Sequence, residues 1–142
     1  MNDVTQIPVI RKKIREKKLQ YAELKSLATN SGAIRYDKDR VQTSIAGNKT
    51  ESLIAEYIEV EDEIKRLNKQ LQENIDEFSF VYDLMHDDRE KMYLRMRYVE
   101  GVKDLTGAFE CSRWTLYRLN IVALKNYRDL RQKYVTFAET NI

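Results

Sequence analysis

One cysteine, one histidine, one proline and four glycines are all that 142 residues offer towards disulfide frameworks, zinc clusters, collagen repeats or Gly-rich phosphate loops. The lone Cys111 cannot close an internal disulfide, and the opening Met-Asn-Asp-Val lacks the basic-then-apolar order of a signal peptide, so a reducing cytoplasm is the expected compartment. His86 alone removes His-based metal sites. No apolar run approaches the roughly 18 residues of a membrane helix, and little Pro or Gly is present to interrupt helices. What remains, 42% hydrophobic and 34% charged residues over about one domain's length, describes an all-α protein.

Charge of one sign is also scarce overall, with a net of +2, but it is not evenly spread. Residues 1–49 hold 11 Lys/Arg against 5 Asp/Glu, residues 50–90 hold 4 against 13, and residues 91–142 hold 10 against 5. Such basic, acidic and basic blocks imply either an internal electrostatic match or an end that binds a polyanion.

Ile7, Ile10, Ile14, Tyr21, Leu24 and Ala28 form the stripe of a first amphipathic helix, with Lys17 where an apolar residue is expected. Pro8 suits its first turn and Asn30-Ser31-Gly32 its stop. Residues 29–49 then lose periodicity and read as a mobile loop. From Leu53 the clearest pattern begins: Leu53, Tyr57, Val60, Ile64, Leu67, Leu71, Phe78, Val81 and Met85 occupy successive a and d heptad positions, and only Asn74 departs. A parallel homodimer along this seam would oppose Glu56 with Glu61. The basic first helix is the better partner, in the same chain as an antiparallel hairpin or from a second chain. Surface ion pairs of about 0–1 kcal/mol each select the partner, while the apolar seam stabilises it.

Asp87 with Glu90 resembles a capping box ahead of a helix through Met92, Leu94, Met96 and Val99, stopped at Gly101. A second short helix fits Lys103 to Phe109. Ser112 is a plausible N-cap for a third, with apolar positions Leu116, Leu119, Ala123, Tyr127, Leu130 and Tyr134. Two domains follow: residues 1–86, a helical hairpin or coiled coil for dimerisation or partner binding, and residues 87–142, three helices in a helix-turn-helix arrangement.

The stretch from Met92 to Leu130 resembles the helix-turn-helix of sigma-factor region four, as it occurs in late transcriptional regulators of phages of Gram-positive bacteria (ArpU/RinA-like). Leu94, Tyr98, Val99 and Gly101 match that family's Leu-rich helix and its Arg-Tyr-x-x-Gly stop, and Leu105, Phe109, Cys111, Ser112 and Leu116 match its core. The segment from Gly32 to Ser44 is similar to one in uncharacterised proteins of such phages. In one place the pattern departs: Glu110 stands at the turn position usually held by Gly, where positive φ is costly for a side-chain-bearing residue.

The resemblance implies a non-enzymatic, sequence-specific DNA-binding protein of the host bacterial cytoplasm, without cofactor, acting as a homodimer on double-stranded DNA and in contact with host RNA polymerase. The helix begun by Ser112 would lie in a major groove with Arg113, Trp114, Thr115, Tyr117 and Arg118 towards the bases, Arg being suited to guanine and Thr or Trp to a thymine methyl. Lys103, Lys125, Arg128 and Arg131 would face phosphates. Two alternatives stand beside it: a small terminase subunit, which also joins a helix-turn-helix to oligomerising helices, and a protein-binding adaptor of host polymerase. Catalytic readings are weaker. His86 suits a helix boundary, Cys111 a packed turn, and Glu56, Glu59 and Glu63, which could together hold a divalent ion, suit a solvated helix face.

Overall fold

The computed structural model describes the backbone of residues 3–35 and 43–140, and the side chains of residues 3–29 and 51–134. The protein is all-α: α1 (Gln6–Arg35), α2 (Thr43–Leu84), α3 (Asp88–Leu94) running into a π-turn (Arg95–Val99), α4 (Thr106–Phe109) and α5 (Arg113–Thr140). Among the described residues there is no strand, and no helix is long and apolar enough to cross a membrane.

Two compact units are present, Ile10–Gln70, and Met1–Val9 with Leu71–Ile142. The boundary expected at 86/87 therefore falls inside the second unit. In the first unit α1 and α2 of the same chain run antiparallel, burying Ile10, Ile14, Leu24 and Val60. Lys17 meets Glu63 (Nζ–Oε2 2.8 Å), and one turn further along α1 the Tyr21 ring meets the Tyr57 ring edge-on at 5.7 Å. Lys17 interrupts the apolar stripe because its ammonium is delivered to the acidic flank of α2. Its hydrogen bond and charge hold the Glu63 carboxyl below the usual carboxylate range.

Both long helices extend further than their periodicity predicts. α1 continues through Asn30-Ser31-Gly32 to Arg35, and α2 starts at Thr43, so Gly47 is helical. One Gly within a helix costs only about 1 kcal/mol, and extending an existing helix adds a backbone bond for each residue fixed, so these residues do not stop it. Of the loop expected over 29–49, residues 36–42 lie outside the described residues.

In the second unit Phe78, Val81 and Met85 from the end of α2 pack with Val4, Ile7, Leu94, Leu105, Ala123 and Tyr127. Asn74, on the same seam, is buried with neither side-chain oxygen nor nitrogen hydrogen-bonded. Asp87 caps α3, accepting from the amides of Arg89 and Glu90 at 3.0 Å. Glu90 does not complete the capping box. Its carboxylate turns inward and accepts from Asn126 Nδ2 at 3.0 and 2.9 Å, joining α3 to α5.

After Leu94 the helix widens into the π-turn, closed by Glu100 N–H to Arg95 O at 2.8 Å and by Arg95 Nε to Glu100 Oε1 at 3.1 Å. Gly101 follows at φ +75, the left-handed conformation glycine adopts without penalty. The helix expected from Lys103 begins only at Thr106, because Asp104 Oδ1 takes the Thr106 amide (3.1 Å) and hydroxyl (2.7 Å) as a cap. Those two bonds hold the Asp104 carboxyl below its usual range.

The turn between α4 and α5 passes through Glu110 at φ 50, ψ 46. The chain thus makes the left-handed turn with the residue that pays for it in strain. Replacing Glu110 with Gly relieves the roughly 1–2 kcal/mol side-chain penalty and loses part of it to unfolded-chain entropy, a net gain of about 0.5–1 kcal/mol. A higher urea midpoint for Glu110→Gly is expected, and a lower one would contradict this account.

Candidate nucleic-acid interface

α5 owes its start to Ser112. The Thr115 amide donates to Ser112 Oγ at 3.3 Å, the two hydroxyls lie 3.1 Å apart, and Leu116 N–H reaches Ser112 O at 3.1 Å. The hydroxyls of Ser112 and Thr115, both expected to face DNA, are thereby engaged in building the helix end. With Leu116, Ala123 and Tyr127 turned to the core, a 3.6-residue period places Trp114, Tyr117, Arg118, Ile121 and Lys125 on the opposite face.

That outward face is aromatic and uncovered. Trp114 is 61% and Tyr117 57% exposed, and Ile121 and Val122 are exposed beside them. The Trp114 and Tyr117 rings stack at 5.8 Å with 21° between planes, and the Arg118 guanidinium lies 5.1 Å from the centre of the Trp114 ring. A cation held over an indole face keeps its N–H edge free for planar hydrogen bonding, and such contacts at exposed sites are worth about 0.5–1 kcal/mol.

The remaining cations separate into two groups. Arg128 donates to Asp3 (Nη2–Oδ2 2.9 Å, Nε–Oδ1 3.3 Å) and Arg131 Nε to Glu77 Oε1. Burial of Asp3 would raise its carboxyl, but the hydrogen bonds from Arg128 and Thr5 outweigh it and hold the group below the usual range. Both arginines, expected at phosphates, instead tie α5 to the N-terminal segment and to α2. Lys103, Arg113, Arg118 and Lys125 form no ion pair among the described residues.

Arg113 lies beside the outward face and also borders a groove. With Arg97, Lys103, Asp104, Tyr117 and Asn120 it lines a groove of about 400 Å³ between the π-turn, the segment leading into α4, and the first turns of α5. Arg97 is the residue that periodicity missed. Its Nη1 donates to the Lys103 carbonyl at 3.1 Å, and Glu100 is taken by Arg95. Only the π-turn, which shifts the helical phase by about one residue, could have revealed this. Below it, Tyr98 donates to Asn120 Oδ1 at 2.7 Å and fixes the groove floor.

The weaker candidates are dispersed. Cys111 is half-buried with a free thiol, and His86 is exposed just after α2. Glu63 is paired with Lys17, and among the described residues no three His, Cys, Asp or Glu side chains converge as a metal site. No protein-family model, curated protein or solved structure matches the chain.

Proposed function

We propose that this chain is a sequence-specific DNA-binding regulator of phage late-gene transcription, not an enzyme, and that the outward face of α5 reads the major groove. The observation that carries this is the exposed Trp114, Tyr117 and Arg118 cluster at the start of a capped helix, opposite a packed core face. The resemblance of residues 92–130 to sigma-factor region four supports the same reading. Arg118 is the guanine reader, and Trp114 and Ile121 are suited to thymine methyls. As a homodimer the protein would place two such helices on half-sites about one helical turn apart or a multiple of it.

Trp114 is the one tryptophan, so its emission reports directly on this face. Titration with duplex from the phage's own late promoter region is expected to quench it, and Arg118→Ala to weaken binding by about 1–3 kcal/mol, or 5- to 150-fold. Unchanged binding by Arg118→Ala would overturn the assignment of α5. The exposed Ile121 and Val122 favour a second reading, an adaptor that docks on host polymerase. Polymerase binding with no salt-sensitive DNA affinity would select it.

A further inference from the structure

We infer that the groove lined by Arg97, Lys103 and Arg113 seats one backbone phosphate of duplex DNA, beside the base-reading face and separate from it. The inference rests on the proposed DNA binding and divides the labour within it. Three cations reach this groove from three elements: Arg97 from the π-turn, Lys103 from the segment before α4, and Arg113 from the first turn of α5. None is in an ion pair among the described residues. One acid, Asp104, shares the lining; its carboxylate stays charged and acts on Arg113, so it offsets one of the three cations and still leaves an excess of positive charge.

The position of Arg97 is fixed by its bond to the Lys103 carbonyl, which uses one guanidinium nitrogen and leaves the other N–H groups for a ligand. Tyr117 borders both surfaces: it lines the groove and stacks on Trp114. A phosphodiester in the groove would therefore set the register of Trp114 and Arg118 against the base edges. Phosphate contacts position and base contacts specify. Arg113 and Arg97 thus contribute affinity and salt dependence, and Arg118 contributes sequence preference.

The test uses the full chain and a labelled 20-base-pair duplex of random sequence, with affinity followed by anisotropy against salt. Arg97→Gln, which keeps an amide donor, and Arg113→Gln are each expected to flatten the slope of log K against log salt, by at most the roughly 0.9 that one neutralised phosphate contributes. Asp104→Asn, which keeps the cap on Thr106, is expected to tighten binding. Sequences selected from a random duplex pool should be the same for wild type and both Gln variants, and should change for Arg118→Ala. If a thermal melt shows Arg97→Gln to be unfolded, Arg113→Gln decides alone.

Slopes unchanged in folded variants while wild type binds DNA would overturn the groove assignment and leave the DNA reading standing. So would binding of inorganic phosphate in the groove at constant ionic strength with no displacement of the duplex, which would make the groove a free-anion site. A wild-type protein with no salt-dependent DNA binding overturns both.

Discussion

Tyr127→Ala is expected to cost about 3–5 kcal/mol, the range for truncating a large buried aromatic. Tyr127 is 1% exposed on the inner face of α5, its ring stacked on Phe78 at 5.8 Å. Burial pushes its hydroxyl well above the ordinary tyrosine range. Truncation removes one of the contacts through which α5 holds the end of α2, and neighbours from α1, α2 and α3 cannot all collapse into the space. Against a total stability of about 5–15 kcal/mol this is a large share, and the thermal midpoint should fall by more than about 10 °C. The same substitution at Tyr117, ten residues earlier on the outward face, should stay within about 0.5 kcal/mol. Equal losses at the two positions would refute the assignment of inner and outer faces on which the proposed DNA-binding surface depends.

Asn74→Leu is expected to stabilise the protein by about 1–3 kcal/mol, the desolvation cost of a buried amide left without partners. The side chain is 2% exposed, and neither Oδ1 nor Nδ2 is hydrogen-bonded. Leu has the same branching at its γ-carbon and restores the one a/d position of α2 that is not apolar, so the gain combines relief of unpaired dipoles with added apolar burial. A higher urea midpoint with an unchanged slope is the expected observation. Loss of stability would show that overpacking dominates or that the amide is paired in solution. A polar residue in an otherwise apolar seam is a known way to fix helix register at a cost in stability, and Asn74 stands where α2 enters the second unit.

Local chemistry was legible in the residues, and long-range commitments were not. The heptads of α2, the caps at Asp87 and Ser112, and the stop at Gly101 each depend on residues within one or two turns, and each appears in the structure. Exposure of Trp114 follows from the same phase, because Leu116, Ala123 and Tyr127 claim the opposite face. Arg128 and Arg131 could not be told apart from Lys125 by spacing, since what separates them is Asp3 and Glu77, distant in sequence. Glu90 followed the capping-box pattern, but Asn126 across the unit offered two bonds in place of one. The π-turn has no sequence signature, and with it Arg97 moved into the groove. Glu110 is the reverse case: composition argued against a left-handed turn at that residue, and tertiary constraint imposed it.

The bond between Asp3 and Arg128 spans 125 positions of the chain. A ribosome adding about 5–20 residues each second emits the first partner roughly 6–25 s before the second. Val4 and Ile7 are made in the same early interval, yet their packing partners Phe78, Leu94 and Tyr127 follow much later. During synthesis the second unit therefore cannot close as a contiguous cassette. Its opening residues must wait, apolar and unsheltered, until nearly all of the chain has emerged, whereas the hairpin of Ile10–Gln70 is complete at half length. Grafting α5 onto another scaffold would have to carry residues 3–9 with it or supply other apolar partners for the same core.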